Sequence, residues 1–268
     1  MGAEHWGRRP CDWATLAEPS NAPLFAEVLK WLGVSLRTRL LDIGCGSGYA
    51  AAMAAKQGAL VTGIDITPEL IELARERVPS GEFQVGGMDD LPFEDASFDA
   101  AVGFNAFQFA DDPGRAVGEA ARVVKPGGLV GATTFAEPGR NESTALHLAL
   151  EPLRNAIPAG PQHLPYELSS SGGLERLLTG AGLEPVDSGE VPLAWRHDNV
   201  DEAVRAVLAS GGGAMAIEAA GEASARAALE RALIPFMRPD GSVSMHNVFR
   251  FAIGRGPDRP AQDATLTD

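Results

Sequence analysis

The sequence predicts an α/β protein: a seven-stranded, mostly parallel sheet with helices on both faces and helical insertions at its rim. Two patterns carry that expectation. Short apolar runs alternate with segments of helical spacing, as strands buried between crossover helices do. The first such run, Leu40-Leu41-Asp42-Ile43, also feeds three glycines at every second position, Gly44, Gly46 and Gly48, and then an alanine-rich helix.

Residues 1–20 have no clear period and hold Trp6 and Trp13 among polar side chains, large aromatics that need a surface to cover. Pro19-Ser20-Asn21 supplies helix-start chemistry. Leu24, Phe25, Val28, Leu29 and Leu32 then recur at helical spacing until Gly33 ends the helix. At the glycine turn, missing Cβ atoms let a ligand approach the backbone. The N–H groups at the start of the next helix, 49–57, are expected to face that ligand. Cys45 lies inside the turn, where a small side chain fits. The second strand, 60–64, ends in Asp65, with Ile66 beside it. A carboxylate there accepts both hydroxyls of a ribose, so turn and acid together suggest an adenosine-containing ligand.

Thr67-Pro68-Glu69 opens the following helix, with Thr67 as its cap and Leu70, Ile71, Leu73, Ala74 and Val78 as its apolar face. The third strand, 82–85, delivers Gly86-Gly87-Met88-Asp89-Asp90 to the same rim. The fourth, 98–102, leaves through 103–109, where Asn105 and Gln108 are the polar side chains. Asp112-Pro113 opens the helix 114–124, and Lys125-Pro126-Gly127-Gly128 turns the chain into an uncharged fifth strand, 129–134. Beyond Phe135 come a helical segment, 141–157, a proline-rich connection, 158–165, and a helix, 174–180. A sixth strand then reaches Trp195-Arg196-His197. Helical stretches over 200–237, broken at Gly211-Gly212-Gly213 and at Gly221, precede the last strand, 243–253.

Composition narrows the function classes. A net charge of −14 with no local basic patch disfavours nucleic acid as a partner. No run is long enough to cross a bilayer and the start lacks a basic-then-apolar leader, so a cytoplasmic location is expected. Cys11 and Cys45 make no disulfide framework, and no metal-ligand spacing appears.

The turn reads G-x-G-x-G, whereas the dinucleotide fingerprint places its third glycine where this chain has Tyr49. With Asp42 two residues before the first glycine, the stretch resembles the first motif of the class I S-adenosylmethionine-dependent methyltransferases. Leu91-Pro92-Phe93, Ser97-Phe98-Asp99 and Arg122-Val123-Val124-Lys125-Pro126-Gly127-Gly128 resemble later blocks of that family, in the same order. The resemblance covers roughly residues 40–135 and implies a Rossmann-like sheet whose final strand is antiparallel. It also implies S-adenosyl-L-methionine as cofactor and no metal.

Carried over residue by residue, the resemblance makes Asp42, Gly44, Cys45, Gly46, Gly48, Asp65, Ile66, Met88, Asp89, Asn105 and Gln108 cofactor-binding candidates, with Trp13 as a lid over the methionine end. The family carries an aspartate where this chain has Gly87, and Asp89 or Asp90 is the expected substitute at the adenine. A single domain over 1–254 follows, with a cap at 1–32, substrate-cap insertions at 137–171 and 198–240, and a disordered tail at 255–268. An antiparallel last strand starts near the pocket, and His163 and His246 are the candidate bases. His147 is expected on a helix surface. The implied reaction moves a methyl group to oxygen or nitrogen of a small apolar or aromatic metabolite, enclosed by Trp6, Trp13, Leu164, Tyr166, Trp195, Met215, Phe236 and Met237. The alternatives are a peptide or protein acceptor, a non-catalytic nucleotide-binding subunit, and a nicotinamide-dependent oxidoreductase, which the glycine spacing disfavours.

Overall fold

A computed structural model describes residues 2–154 and 167–258. The first strand, β1 (Arg39–Ile43), follows helix α1 (Ala22–Trp31), whose Leu24, Phe25, Val28 and Leu29 are buried as the spacing requires. The order continues with α2 (Tyr49–Lys56), β2 (Leu60–Asp65), α3 (Pro68–Arg77), β3 (Glu82–Val85), β4 (Phe98–Gly103), α4 (Pro113–Val123) and β5 (Val124–Phe135). Then come α5 (Thr144–Arg154), α6 (Gly173–Gly180), β6 (Glu184–His197), α7 (Val200–Leu208), α8 (Gly211–Ala220), α9 (Glu222–Leu233) and β7 (Val243–Arg255). The seven strands form one sheet in the order β3-β2-β1-β4-β5-β7-β6, and β7 runs antiparallel to both neighbours. The chain order reverses beside β1, so the carboxyl ends of β1, β2 and β4 frame the crevice where ligands enter such sheets.

Two cores cover the sheet. On one face Leu24, Val28 and Leu29 of α1 pack with Ala51 and Ala54 of α2 and Ile71 and Ala74 of α3. On the other, Ala116, Val117 and Ala120 of α4 meet Leu174 and Leu178 of α6. A third core lies off the sheet. Leu146 and Leu150 of α5, Val204 and Leu208 of α7 and Leu229 and Leu233 of α9 close on Val243 and Met245 at the start of β7.

That third core has a topological cause. Phe135, the last residue of β5, pairs with Phe249, whereas β6 and β7 stay paired out to His197 and Val243. The two edge strands therefore run six further residue positions beyond β5 as a ribbon, and α7–α9 are built on its tip. Met245 is consumed in this core instead of lining a pocket. The helical region breaks at 209–210, directly before the three glycines at 211–213. They form the first turn of α8, capped by the Ser210 hydroxyl, which accepts from the Gly213 N–H at 3.1 Å.

Residues 2–21 are ordered by short helical turns, contrary to an unpatterned start. Their outer side is pinned to the insertion by the ion pairs of Asp12 with Arg205 and of Arg9 with Glu222 at 2.5 Å, and by a contact of His5 Nε2 with Glu218 at 3.3 Å. Strand β7 extends to Arg255, into the stretch expected to be a tail, and residues 259–268 lie outside the described residues.

Candidate functional site

The glycine turn does not offer its N–H groups to a ligand. Those of Gly44 and Cys45 both donate to the Ile64 carbonyl, at 2.8 and 3.1 Å, and that of Gly48 donates to the Cys45 carbonyl at 2.9 Å. Gly46 N–H donates to Asp65 Oδ2 at 3.0 Å, and Ser47 N–H donates to Glu18 Oε1 at 2.8 Å. Every backbone donor from 44 to 48 is thus used by the chain itself. Glu18 takes the Ser47 donor, and Ile64, Cys45 and Asp65 take the others.

Glu18 is not a candidate in the sequence, because nothing local to it signals a role. Its side chain is buried in the N-terminal segment and reaches the start of α2, which has no side-chain cap of its own. There it accepts from Ser47 N–H, the Ser47 hydroxyl, Arg77 Nη1 at 3.0 Å and Trp13 Nε1 at 2.9 Å. Arg77 also donates to the Ser47 and Ala14 carbonyls, tying α3, the turn and the N-terminal segment together. An anion at a helix N-terminus is favourable there. In this chain the anion is internal.

The glycines are accordingly required by the chain's own packing. A Cβ on Gly44 would stand 2.7 Å from the Ala106 methyl, one on Gly48 would stand 3.0 Å from the Ala74 methyl, and one on Gly46 would collide with the Glu18 carboxylate. All three have positive φ, between 54° and 75°. Met88 approaches the Gly44 position to 3.8 Å, which puts it at the turn as expected. Trp13 is there too, packed edge-on against Trp6 at 5.0 Å, with Trp6 in turn against Phe109 at 5.4 Å.

Three carboxylates converge on the turn. Burial, followed by the charges of Glu18 and Asp65, pushes Asp42 up to about 8, and its Oδ1 has no hydrogen-bond partner among the described residues. Burial also raises Glu18 and Asp65 above the usual carboxylate range. Asp65 divides its oxygens: Oδ2 accepts from Gly46 N–H, and Oδ1 from Thr67 N–H at 2.9 Å. So Asp65, not the Thr67 side chain, serves the start of α3. Each oxygen keeps capacity for a ribose hydroxyl.

Other candidates fall elsewhere. The Cys45 side chain belongs to the core, with its sulfur 2.9 Å from where a Gly63 Cβ would stand, so only its backbone borders the turn. Burial and the three acids raise its thiol well above its ordinary value. Asp89 Oδ1 accepts from the Asp112 N–H at 3.3 Å, and Asp112 caps α4 through Arg115 N–H. Gly87 is open, with nothing within 4 Å of a Cβ there. Ile66 is exposed beside Asp65. Asn105, at φ 50°, is held by Thr133: its N–H donates to the Thr133 hydroxyl at 2.9 Å, and that hydroxyl faces Asn105 Oδ1 at 3.3 Å. Gln108 is buried with both amide atoms unpartnered among the described residues.

Of the histidines, His163 lies outside the described residues, as do Leu164 and Tyr166. His246 has an exposed side chain three positions beyond Phe249 on the ribbon, and its backbone N–H donates to Glu142. The structure does not bring it to the glycine turn. His147 corrects the surface expectation, since its ring packs edge-on against Phe135 at 6.1 Å and desolvation lowers it to about 4. Phe135 itself stacks on Phe249 at 4.4 Å and meets Trp195 at 5.9 Å, making an aromatic cluster at the end of β5. Trp195 Nε1 donates to Asn21 Oδ1, closing the cluster against the N-terminal segment. A cleft of ≈ 330 Å³ opens nearby, lined by Thr15, Leu16, Pro19 and Pro23 on one side and Ala194 and His197 on the other.

Comparison with known proteins agrees with this geometry. Residues 41–131 match the model of a methyltransferase domain family. An uncharacterised protein of Mycobacterium tuberculosis is 34% identical over 128 residues, which is 46% of this chain and 47% of the relative. The demethylmenaquinone methyltransferase of Tropheryma whipplei is 37% identical over 113 residues, 41% of this chain and 47% of that protein. The chain thus spans about half the length of the curated relatives it matches. The crystal structure of a proposed methyltransferase from Bacillus halodurans superposes with a TM-score of 0.59 at 17% identity, covering 87% of this chain and 98% of the other, and so shares the fold. Fold, turn and matched segment agree: residues 41–131 match a methyltransferase domain family, on a fold shared with a proposed methyltransferase.

Proposed function

We propose that the protein transfers the methyl group of S-adenosylmethionine to an oxygen or nitrogen atom of a small, apolar or aromatic metabolite. The observation that carries this reading is the polarity of the glycine turn. Its donors are taken and its remaining capacity is that of acceptors, with Asp42, Asp65 and Glu18 around it. A dinucleotide brings a pyrophosphate, which needs backbone N–H groups, whereas those of 44–48 are occupied by the chain and three acids stand there instead. S-adenosylmethionine brings ribose hydroxyls and an ammonium as donors and, with its sulfonium and carboxylate counted, a net positive charge. When bound, it supplies an activated methyl group.

The residues of the chain then have assignable work. Asp65 takes the ribose hydroxyls, Met88 covers the adenine, and Gln108, with an amide unpaired on both atoms, supplies a donor and an acceptor at the exit of β4. Trp13 covers the turn and excludes water. The acceptor enters between the N-terminal segment and the ribbon, beside Phe135 and Trp195. His147, kept neutral by desolvation, accepts a hydrogen bond from an acceptor hydroxyl and orients it. The N-terminal cap and the insertion at 198–240 enclose it within a single domain.

The test has two arms. Calorimetry with S-adenosylhomocysteine and with NAD should show binding of the first alone. Transfer of labelled methyl to a panel of aromatic metabolites that carry hydroxyl or amino groups should give an O- or N-methylated product. Binding of NAD in preference to S-adenosylhomocysteine would refute the reading, and transfer only to peptides would replace the acceptor class.

A further inference from the structure

We propose that the protein carries a second binding pocket, for a small polar α-amino acid in its zwitterionic form, on the face of the sheet opposite the aromatic cluster. It stands apart from the methyl-transfer reading, which its failure would leave in place.

Strand alternation builds the floor of this pocket. Phe135 and Phe249 are paired and put their rings on one face, so their neighbours Thr134 and Arg250, also paired, point to the other. Glu190 of β6 is the partner of Arg250 on its far side, which makes a row of three polar side chains across β5, β7 and β6. Over this row lies the stretch 169–171 that precedes α6. Arg250 holds it by donating to the Ser169 and Ser170 carbonyls, at 3.5 and 2.7 Å, and Arg176 by donating to the Ser171 carbonyl at 3.0 Å. A cavity of ≈ 250 Å³ remains between them, and Glu137 and Arg140, from the loop that leaves β5, complete its wall. That volume lies below the span of about 300–1,000 Å³ typical of drug-sized ligands.

The lining decides the chemistry. Ala136 is its one apolar side chain among the described residues, so an apolar or aromatic ligand gains little there. Ser169 is 1% exposed, and its hydroxyl has no hydrogen-bond partner among the described residues. A buried hydroxyl in that state is a group for a ligand to satisfy. Glu175 stands behind Arg250 at 3.4 Å and neutralises it. The charges left at the half-exposed mouth are Arg140, 2.5 Å from Glu190, and the two carboxylates of Glu190 and Glu137. Arg140 gives one of its five side-chain N–H groups to Glu190 Oε1, which leaves donors on the guanidinium and acceptors on both acids. A lone anion meets two carboxylates there, and a lone cation meets the guanidinium. A ligand that carries both charges on one short chain suits both. Its carboxylate takes the Ser169 hydroxyl and the spare Arg140 N–H groups, and its ammonium lies at Glu137 and Glu190.

Titration calorimetry on the full chain tests this, with L-serine as the probe. L-Serine should bind with a Kd of about 1 mM or tighter. N-acetyl-L-serine and L-serinamide, each short of one charge, should bind at least about tenfold more weakly. Ser169→Ala should weaken L-serine by about threefold to tenfold. Arg140→Gln should cost L-serine about fivefold and L-serinamide nothing, whereas Glu190→Gln should cost L-serine about fivefold and N-acetyl-L-serine nothing. Both side chains are half-exposed, so these two variants keep the fold. Absence of L-serine binding, a half-blocked probe that binds as tightly as L-serine, or equal losses for all three probes in both charge variants would overturn the proposal.

Discussion

Asp42→Asn should reverse the usual sense of a charge deletion by stabilising the ligand-free protein at neutral and alkaline pH. Asp42 is 2% exposed and its carboxyl group is pushed from 3.8 up to about 8 by burial and by two neighbouring acids. A carboxyl group raised in the folded state favours its protonated form. Its contribution is thus fully present below the unfolded value and is lost as pH rises through the folded one. Between about pH 4 and about pH 8 the native chain loses about 1.4 kcal/mol for each pH increment of one, a ceiling of about 6 kcal/mol. Glu18 and Asp65 share the proton load, so about 2–3 kcal/mol belongs to Asp42. Asparagine keeps the shape and removes the ionisation. Urea unfolding at about pH 4.5 and about pH 8 should show a stability loss in the wild type that is smaller by that amount in the variant. Saturating S-adenosylmethionine should narrow the difference by supplying positive charge. Parallel pH profiles for wild type and variant would refute the reasoning.

Asp65→Ala removes the acceptors of Gly46 N–H and Thr67 N–H as well as those of the ribose. It should weaken S-adenosylhomocysteine binding by about 1.5–3 kcal/mol and lower stability by about 1–2 kcal/mol, read by calorimetry and melting. Gly46→Val, at φ 54°, should abolish cofactor binding by expelling Glu18 and Trp13; a crystal structure with their hydrogen bond intact would contradict this. His147→Ala should lower kcat for a hydroxyl acceptor about tenfold or more without changing cofactor affinity, and equal kinetics would remove it from the site. Hydrogen exchange over 2–20 and 200–237 should slow when product cofactor and acceptor are both bound. Equal rates would mean that neither segment closes on the ligand.

What the sequence discloses is local. The glycine turn, Asp65 at a strand end and the apolar face of α1 are set by residues within a turn or two of each other, and they appear where spacing puts them. The departures come from distance. Glu18 reaches Ser47 across 29 residues and Arg77 across 59, so no window around Glu18 shows that it binds the turn before α2. His147 lies on a helix whose alternating pattern suits a surface, yet β5 ends beneath it and Phe135 covers its ring. The three glycines suggest room for a ligand because their absent side chains say nothing about which atoms fill the space. Ala106, Glu18 and Ala74 do so here.

The ribbon of β6 and β7 has one more consequence, for how such a chain is altered. His197 and Val243 are paired partners, so the 45 residues between them, 198–242, leave and re-enter the sheet at adjacent backbone positions. A two-residue hairpin of the Asn-Gly kind fits the same gap. The whole block is thereby an exchangeable cassette: shortened, lengthened or replaced, it leaves the strand pairing and the three-acid turn in register. Its sole covalent ties are at one hairpin root. Its other attachments are the core it shares with Leu146 and Leu150 of α5 and the ion pairs through Asp12 and Arg9 to the segment that carries Glu18, so a transplanted cassette must bring an apolar face for α5 and matching partners for those two side chains.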